Sequence, residues 1–194
     1  MELAKVKEAF ERHGFAVSYF ETAAEARAYL AAQCAGQAVT FGGSVTLDQL
    51  DAFDALTAAG CTVNWHWKNG GARVQDCDIY VTSANGLSET GEIVNIDGTG
   101  NRVAAAIYGP AACFTVCGRN KLAPTLADAI GRARNIAAPK NAQRVGARTP
   151  CAADGKCHDC DSPGRICRAL SVVFRPPMGF TRYELVLVGE DLGY

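Results

Sequence analysis

AVTFGGSVTLDQL, residues 38–50, is the stretch whose reading decides the fold. Ala38 to Phe41 is a short apolar run bounded by glycine, which reads as a buried strand. From Leu47 onward the apolar period changes. Leu47, Leu50, Phe53 and Leu56 recur at helical spacing and predict a helix running to Ala59, closed by Gly60. Between the two periods lies Gly42-Gly43-Ser44. The unit is therefore strand, glycine turn, helix, and Thr62 to Trp65 reads as the next strand. The same alternation extends upstream. Leu3, Val6, Phe10 and Phe15 follow helical spacing with Gly14 as a stop, and Val17 to Phe20 reads as a strand. Thr22 is placed to cap a second helix, with Glu25 as capping-box partner. Ala26, Tyr29, Leu30 and Ala32 form its apolar side, and Gly36 ends it. Helices and strands joined by short loops predict an α/β fold on a parallel sheet.

Downstream, Ile79–Ser83, Glu92–Ile96, Val103–Ile107 and Cys113–Cys117 read as extended, punctuated by Gly and Asn. Thr125 begins a helix that carries Leu126, Ala129, Ile130 and Ala133 and stops before Pro139. Lys140 to Cys167 has little apolar periodicity. Ser171–Phe174 and Glu184–Val188 read as two final strands.

The chain has 194 residues, which suits one domain over 1–194. With 48% hydrophobic and 20% charged residues it is too apolar for a disordered chain. A net charge of −1 argues against nucleic acid as a partner. No run approaches the ~18 apolar residues of a membrane span. Charges recur every few residues in MELAKVKEAFERHGF, so no secretory signal is expected. A cytoplasmic location follows as the expectation. Nine cysteines is a high and odd count, whereas a secreted disulfide scaffold is normally short and even in cysteines.

Five of them (Cys34, Cys61, Cys77, Cys113 and Cys117) fall in apolar or helical segments and read as small buried hydrophobes. The other four, Cys151, Cys157, Cys160 and Cys167, crowd into a cysteine-rich loop at 148–168. Their spacing is C-x5-C-x2-C-x6-C. The Cys157-x2-Cys160 pair is the usual chelating spacing. Zinc ribbons usually carry two such pairs, so one pair with two outlying cysteines points to an iron–sulfur cluster of the 4Fe–4S type. Zinc is the alternative centre. Basic residues such as Lys156, Arg165 and Arg168 would offset the thiolate charge, and His158 offers a substitute ligand.

Gly42, Gly43, Ser44 and Thr46 supply a turn at which an anion can approach the backbone. The plainer reading makes Ser44 or Thr46 the N-cap. Neither the Walker pattern nor G-x-G-x-x-G is present. Asn85, Glu89, Asp97, Asn101 and Arg102 form a second polar group around strand ends, and Arg119-Asn120-Lys121 a third. Arg102 is placed either to clamp a carboxylate or phosphate, or to pair with Asp97 or Glu92. Polar clusters at repeated strand ends point to a ligand crevice at the sheet edge. Trp65-His66-Trp67 reads as packing, and no serine-hydrolase pattern is visible.

GGSVTLDQL, TSANGLSETGEIVNIDGTGNRVAA, GRNK, RARNIAAPKNAQR and TPCAADGKCHDCDSPGRICR together resemble the LUD domain family, associated with lactate utilisation. The match is to its short branch with a C-terminal cysteine motif. The resemblance implies a three-layer α/β sheet related to the ribose-phosphate isomerase and CoA-transferase-like superfamily. Ligands of such folds sit over strand ends beside a glycine loop. It implies a protein of small-carboxylate, lactate-type metabolism that binds a small anionic metabolite, a hydroxycarboxylate or sugar phosphate. Gly42, Gly43, Ser44, Thr46, Asn101 and Arg102 would bind it. Glu89 is the expected general base, and Asn85 the orienting group. With an iron–sulfur cluster on Cys151, Cys157, Cys160 and Cys167, the chain would be an oxidoreductase or an accessory protein with a redox partner. Two alternatives stay open: a non-catalytic module with structural zinc, and a non-redox isomerase or transferase acting on a sugar phosphate or acyl-CoA. A homodimer is a further expected assembly.

Overall fold

The computed structural model describes residues 3–70 and 77–194. In chain order the elements are α1 (Leu3–Arg12), β1 (Ala16–Phe20), α2 (Ala23–Cys34), β2 (Ala38–Phe41), α3 (Val45–Gln49), α4 (Ala52–Ala58) and β3 (Thr62–Asn64). Then come β4 (Ile79–Thr82), β5 (Gly86–Ser88), β6 (Ile93–Asp97), α5 (Asn101–Ala105), β7 (Ala112–Gly118) and β8 (Leu122–Ala123). The chain continues through α6 (Leu126–Arg132), α7 (Ala138–Arg144), α8 (Pro150–Asp154), β9 (Ala169–Val173) and β10 (Arg182–Val188).

Six strands form one sheet in the order β1-β10-β7-β4-β2-β3, every neighbour parallel. Strand alternation divides its side chains between two cores. Phe41, Val81, Phe114, Val116, Val186 and Val188 pack with Leu30, Leu47 and Leu56, from α2, α3 and α4. Tyr80, Cys113, Cys117, Tyr183, Leu185 and Leu187 face the other way. They meet Val6 and Phe10 of α1, Ala105 of α5, and Leu87, Ile93 and Val173 of a second sheet. That sheet runs β8-β5-β6-β9, with β5/β6 and β6/β9 antiparallel and β5/β8 parallel. Its outer face, Val94, Ile96 and Ala123, is covered by Ala129, Ala133 and Ala138 from α6 to α7. The expected α/β architecture, a parallel sheet between two layers, is what the chain forms.

Local rules place several elements as expected. Thr22 and Glu25 form the full capping box. Ser44 Oγ accepts the Leu47 N–H at 3.2 Å and caps α3, so the plainer reading of that serine holds. The helix expected from 45 to 59 is broken, because Asp51 takes a left-handed conformation at φ 51 and starts α4 anew.

Two further expectations fail. Val103–Ile107 is not a strand, since Asn101–Ala105 is helix α5. Gly100 enters at φ 89, the Asp97 carboxylate accepts the Arg102 N–H at 3.0 Å, and the alanines favour helix over the β-branched Val103. Nor does the helix after Thr125 stop before Pro139. It passes through a π-helical turn, Ala133–Ala137, into α7, which carries Pro139 near its start. A proline in the first turn of a segment removes no needed donor.

Gly86 is where the small sheet meets α6 most closely. A Cβ there would lie 2.6 Å from the Ala129 carbonyl oxygen. Gly86→Ala should lower stability by about 1–3 kcal/mol, read as a shifted urea midpoint at unchanged slope.

Candidate functional site

Several parallel strands end at one level, and their following loops meet. β2 runs into Gly42–Ser44, β4 into Ser83–Asn85, and β7 into the turn Arg119–Lys121. A cavity of about 240 Å3 opens there. Its walls include Gly43, Ser44, Thr46, Asn85, Asp97, Asn101, Arg102, Lys121 and Arg144, with Trp67, Ile166 and Tyr194. Crevices outside the carboxyl ends of parallel strands are the usual ligand sites of open α/β sheets.

The sequence-selected residues divide clearly. Gly43, Ser44, Thr46, Asn85, Asn101 and Arg102 all line the cavity. Gly42 does not; a Cβ there would run into the Tyr80 hydroxyl, the Arg102 Cγ and Thr82 Oγ1. Glu89 is not among the lining residues. It follows β5, with its N–H donating to the Ala123 carbonyl at 2.8 Å.

Arg102 sits on helix α5 and not on a strand edge. Its guanidinium donates to the Ile96 carbonyl at 2.7 Å and lies 3.7 Å from Asp97 Oδ1. Asn85 Oδ1 accepts the Ile96 N–H at 2.9 Å, so Asn85 braces the wall that carries Arg102. Thr46 Oγ1 accepts from Ser83 Oγ at 3.2 Å.

Lys121 was legible only as part of a polar cluster after a strand, in GRNK. It is the most informative residue of the site. Only 4% exposed, it donates to the Ala84 carbonyl at 2.9 Å and to Ser83 Oγ at 3.4 Å. Among the described residues no carboxylate forms an ion pair with it. Burial pushes its amine down to about 8; the Cys117 thiol opposes this, and the Arg132 and Arg102 charges add to it. Arg132 is fixed behind it, donating to the Asn120 and Asn85 carbonyls. Arg144 lies 4.7 Å over the Trp67 ring, which stacks on Trp65 at 5.3 Å. Arg102, Lys121 and Arg144 thus line a cavity in which Asp97 is the one acidic side chain among the described residues.

The cysteine segment adjoins this cavity through Ile166. Cys151, Cys157, Cys160 and Cys167 are free and half-exposed, in contrast to the five buried cysteines. Four free thiols on one short segment are a suitable donor set for an iron–sulfur or zinc centre. Their present arrangement is uncoupled, however. Among the described residues no three acidic, histidine or cysteine side chains converge as a ligating group. Arg165 organises the segment instead. It donates to Cys167 Sγ at 3.2 Å, the Cys160 carbonyl at 2.9 Å and Asp159 at 3.0 Å. His158 is held by Asp154 at 2.8 Å.

A six-stranded parallel sheet with a cavity over its strand ends defines an open-sheet α/β protein. Within that class, the chain belongs to the LUD domain family, whose model matches residues 3–188. A crystal structure of a DUF162 family protein from Deinococcus radiodurans shares the fold, with a TM-score of 0.58 and 14% identity over 96% of each chain. No curated protein matches the chain. No helix among the described residues is long and apolar enough to cross a membrane.

The Lys121 amine predicts a definite pH dependence of stability. Its folded value lies below the ordinary 10.5, so burying the cation costs stability below about pH 8, and that cost fades as pH rises to 10.5. The stability of the native protein relative to Lys121→Met should therefore rise across this window, by up to about 3 kcal/mol. Urea denaturation of both proteins at stepped pH checks the sign.

Proposed function

We propose that this LUD-family chain binds a small anionic metabolite of lactate-type carboxylate metabolism in the strand-end cavity. The supporting observation is the charge of the side chains in the walls: Arg102, Lys121 and Arg144 against Asp97, the one acidic side chain there among the described residues. A carboxylate entering the cavity would meet Lys121, buried with no counter-ion among the described residues, and an Arg102 guanidinium already oriented by Asp97 and Ile96. Charge-assisted hydrogen bonds in such a desolvated site are the strong kind. Ser44, Thr46 and Asn101 would direct hydroxyl and amide groups toward the remaining oxygens, and Asn85 would keep Arg102 in place.

The four free cysteines form the second half of the proposal, on the strength of donor chemistry and spacing. Cys151, Cys157, Cys160 and Cys167 would hold an iron–sulfur cluster, with zinc as the competing occupant. A bound cluster would supply one-electron chemistry exchanged with a redox partner protein. Arg165, which already donates to Cys167 Sγ, and Arg168 would then offset the thiolate charge.

Two measurements test these halves separately. Lactate and inorganic phosphate, titrated against isotope-labelled protein, should shift the resonances of the cavity residues. Arg102→Ala should weaken that binding by about 10–100-fold, and unchanged affinity removes Arg102 from the site. Iron, sulfide and zinc analysis of anaerobically purified protein should find iron and sulfide, with Cys157→Ser losing them. One zinc per chain makes the segment a structural staple, and full iron retention in Cys157→Ser removes that cysteine from the ligand set.

A further inference from the structure

We infer that Lys121 is the covalent centre of the cavity, where its amine condenses with the carbonyl carbon of a small 2-oxo acid to form an imine. The inference rests on the anion-binding reading of the same cavity and names its substrate class.

The geometry separates Lys121 from an ordinary structural lysine. A lysine buried for stability is normally matched by a carboxylate. Lys121 is 4% exposed, lines the cavity, and has for partners a carbonyl and a hydroxyl. Its charged neighbours, Arg102 and Arg132, act against the ammonium form. A desolvated lysine beside other cations is the arrangement that yields a nucleophilic amine near neutral pH. The nearby Cys117 is not a rival nucleophile, because it is fully buried and burial pushes its thiol up.

The surroundings suit each stage of the condensation. Arg102 holds the carboxylate of the 2-oxo acid, which sets the adjacent carbonyl carbon against the amine. The nitrogen lone pair forms the C–N bond while the carbonyl π pair moves to oxygen, which takes a proton. The resulting carbinolamine loses that oxygen as water while nitrogen forms the C=N bond. One water leaves, and no atom is oxidised or reduced. Proton transfers at nitrogen and oxygen have a path through Ser83 Oγ, 3.4 Å from the amine, and Thr46 Oγ1, 3.2 Å further on.

The test uses pyruvate as the probe and borohydride as the trap, with the full-length protein as purified. The intact mass should rise by pyruvate less water plus two hydrogens, and peptide mapping should place the adduct on Lys121. Lys121→Arg should lose the adduct while its amide resonances show the native fold. Lactate, which has no carbonyl, should bind and give none. Pyruvate binding without an adduct on Lys121, or with adducts on exposed lysines alone, overturns the inference and leaves the anion site standing. Lactate binding without pyruvate binding also overturns it. Failure of pyruvate, lactate and phosphate alike overturns both readings. The trapping experiment on the native chain decides the matter even if the Lys121 variants fail to fold.

Discussion

The parallel pairing of β7 with β10 sets the level at which the central strands end. Seven registered residue pairs run from Arg182 opposite Ala112 to Val188 opposite Gly118. Beyond that point the two chains stay in contact. Arg119 N–H donates to the Glu190 carbonyl, and Asn120 Oδ1 accepts the Leu192 N–H. Gly193 N–H donates to Gln49 Oε1, which ties the same segment to α3. Gly118 has no room for a Cβ, which would lie 2.5 Å from the Glu190 oxygen and the Leu192 nitrogen. Lys121 is delivered to its buried position by this clasp. Its depth is therefore a property of the sheet, not of its own short turn.

How far the sequence disclosed this depends on the range of the forces involved. Thr22 with Glu25, Ser44, and the Ala38–Phe41 run are governed by neighbours within a few residues, and the structure agrees with their reading. Val103 and Ile107 have the side chains of a strand, yet a glycine and an aspartate just upstream nucleate a helix. Pro139 signals a stop, yet a π-helical turn lets the chain continue past it. At the site, the polar lining of Ser44, Thr46, Asn85, Asn101 and Arg102 was visible as strand-end clusters. Lys121 was visible as a charged residue. Its burial was not, because that depends on Ser83, Ala84 and the segment around Gly193, all distant in sequence. Glu89 shows the reverse case, a carboxylate close in sequence that the β5 strand leaves away from the cavity.

The cysteines sort into two chemical populations. Burial pushes the thiols of Cys34 and Cys113 up to about 12 and raises Cys117. These groups pack as small apolar side chains and stay protonated at neutral pH. The segment from Cys151 to Cys167 is instead half-exposed, and Ser162 hydrogen bonds hold the Cys160 thiol below its ordinary value. Thiol reactivity is thereby kept off the core and confined to one flank of the cavity.

The π-helical turn at Ala133–Ala137 sets which face of α7 meets the cavity. Such a turn amounts to one extra residue inserted in a helix, and one residue corresponds to about 100° of helical rotation. Asn141, Arg144 and Val145 face the cavity at the angle that this extra residue sets. A single-codon deletion within the turn would rotate α7, present a different set of side chains to the cavity and require Ala138 to repack on the small sheet. The lining of the cavity can thus be altered by a change of length as well as by substitution.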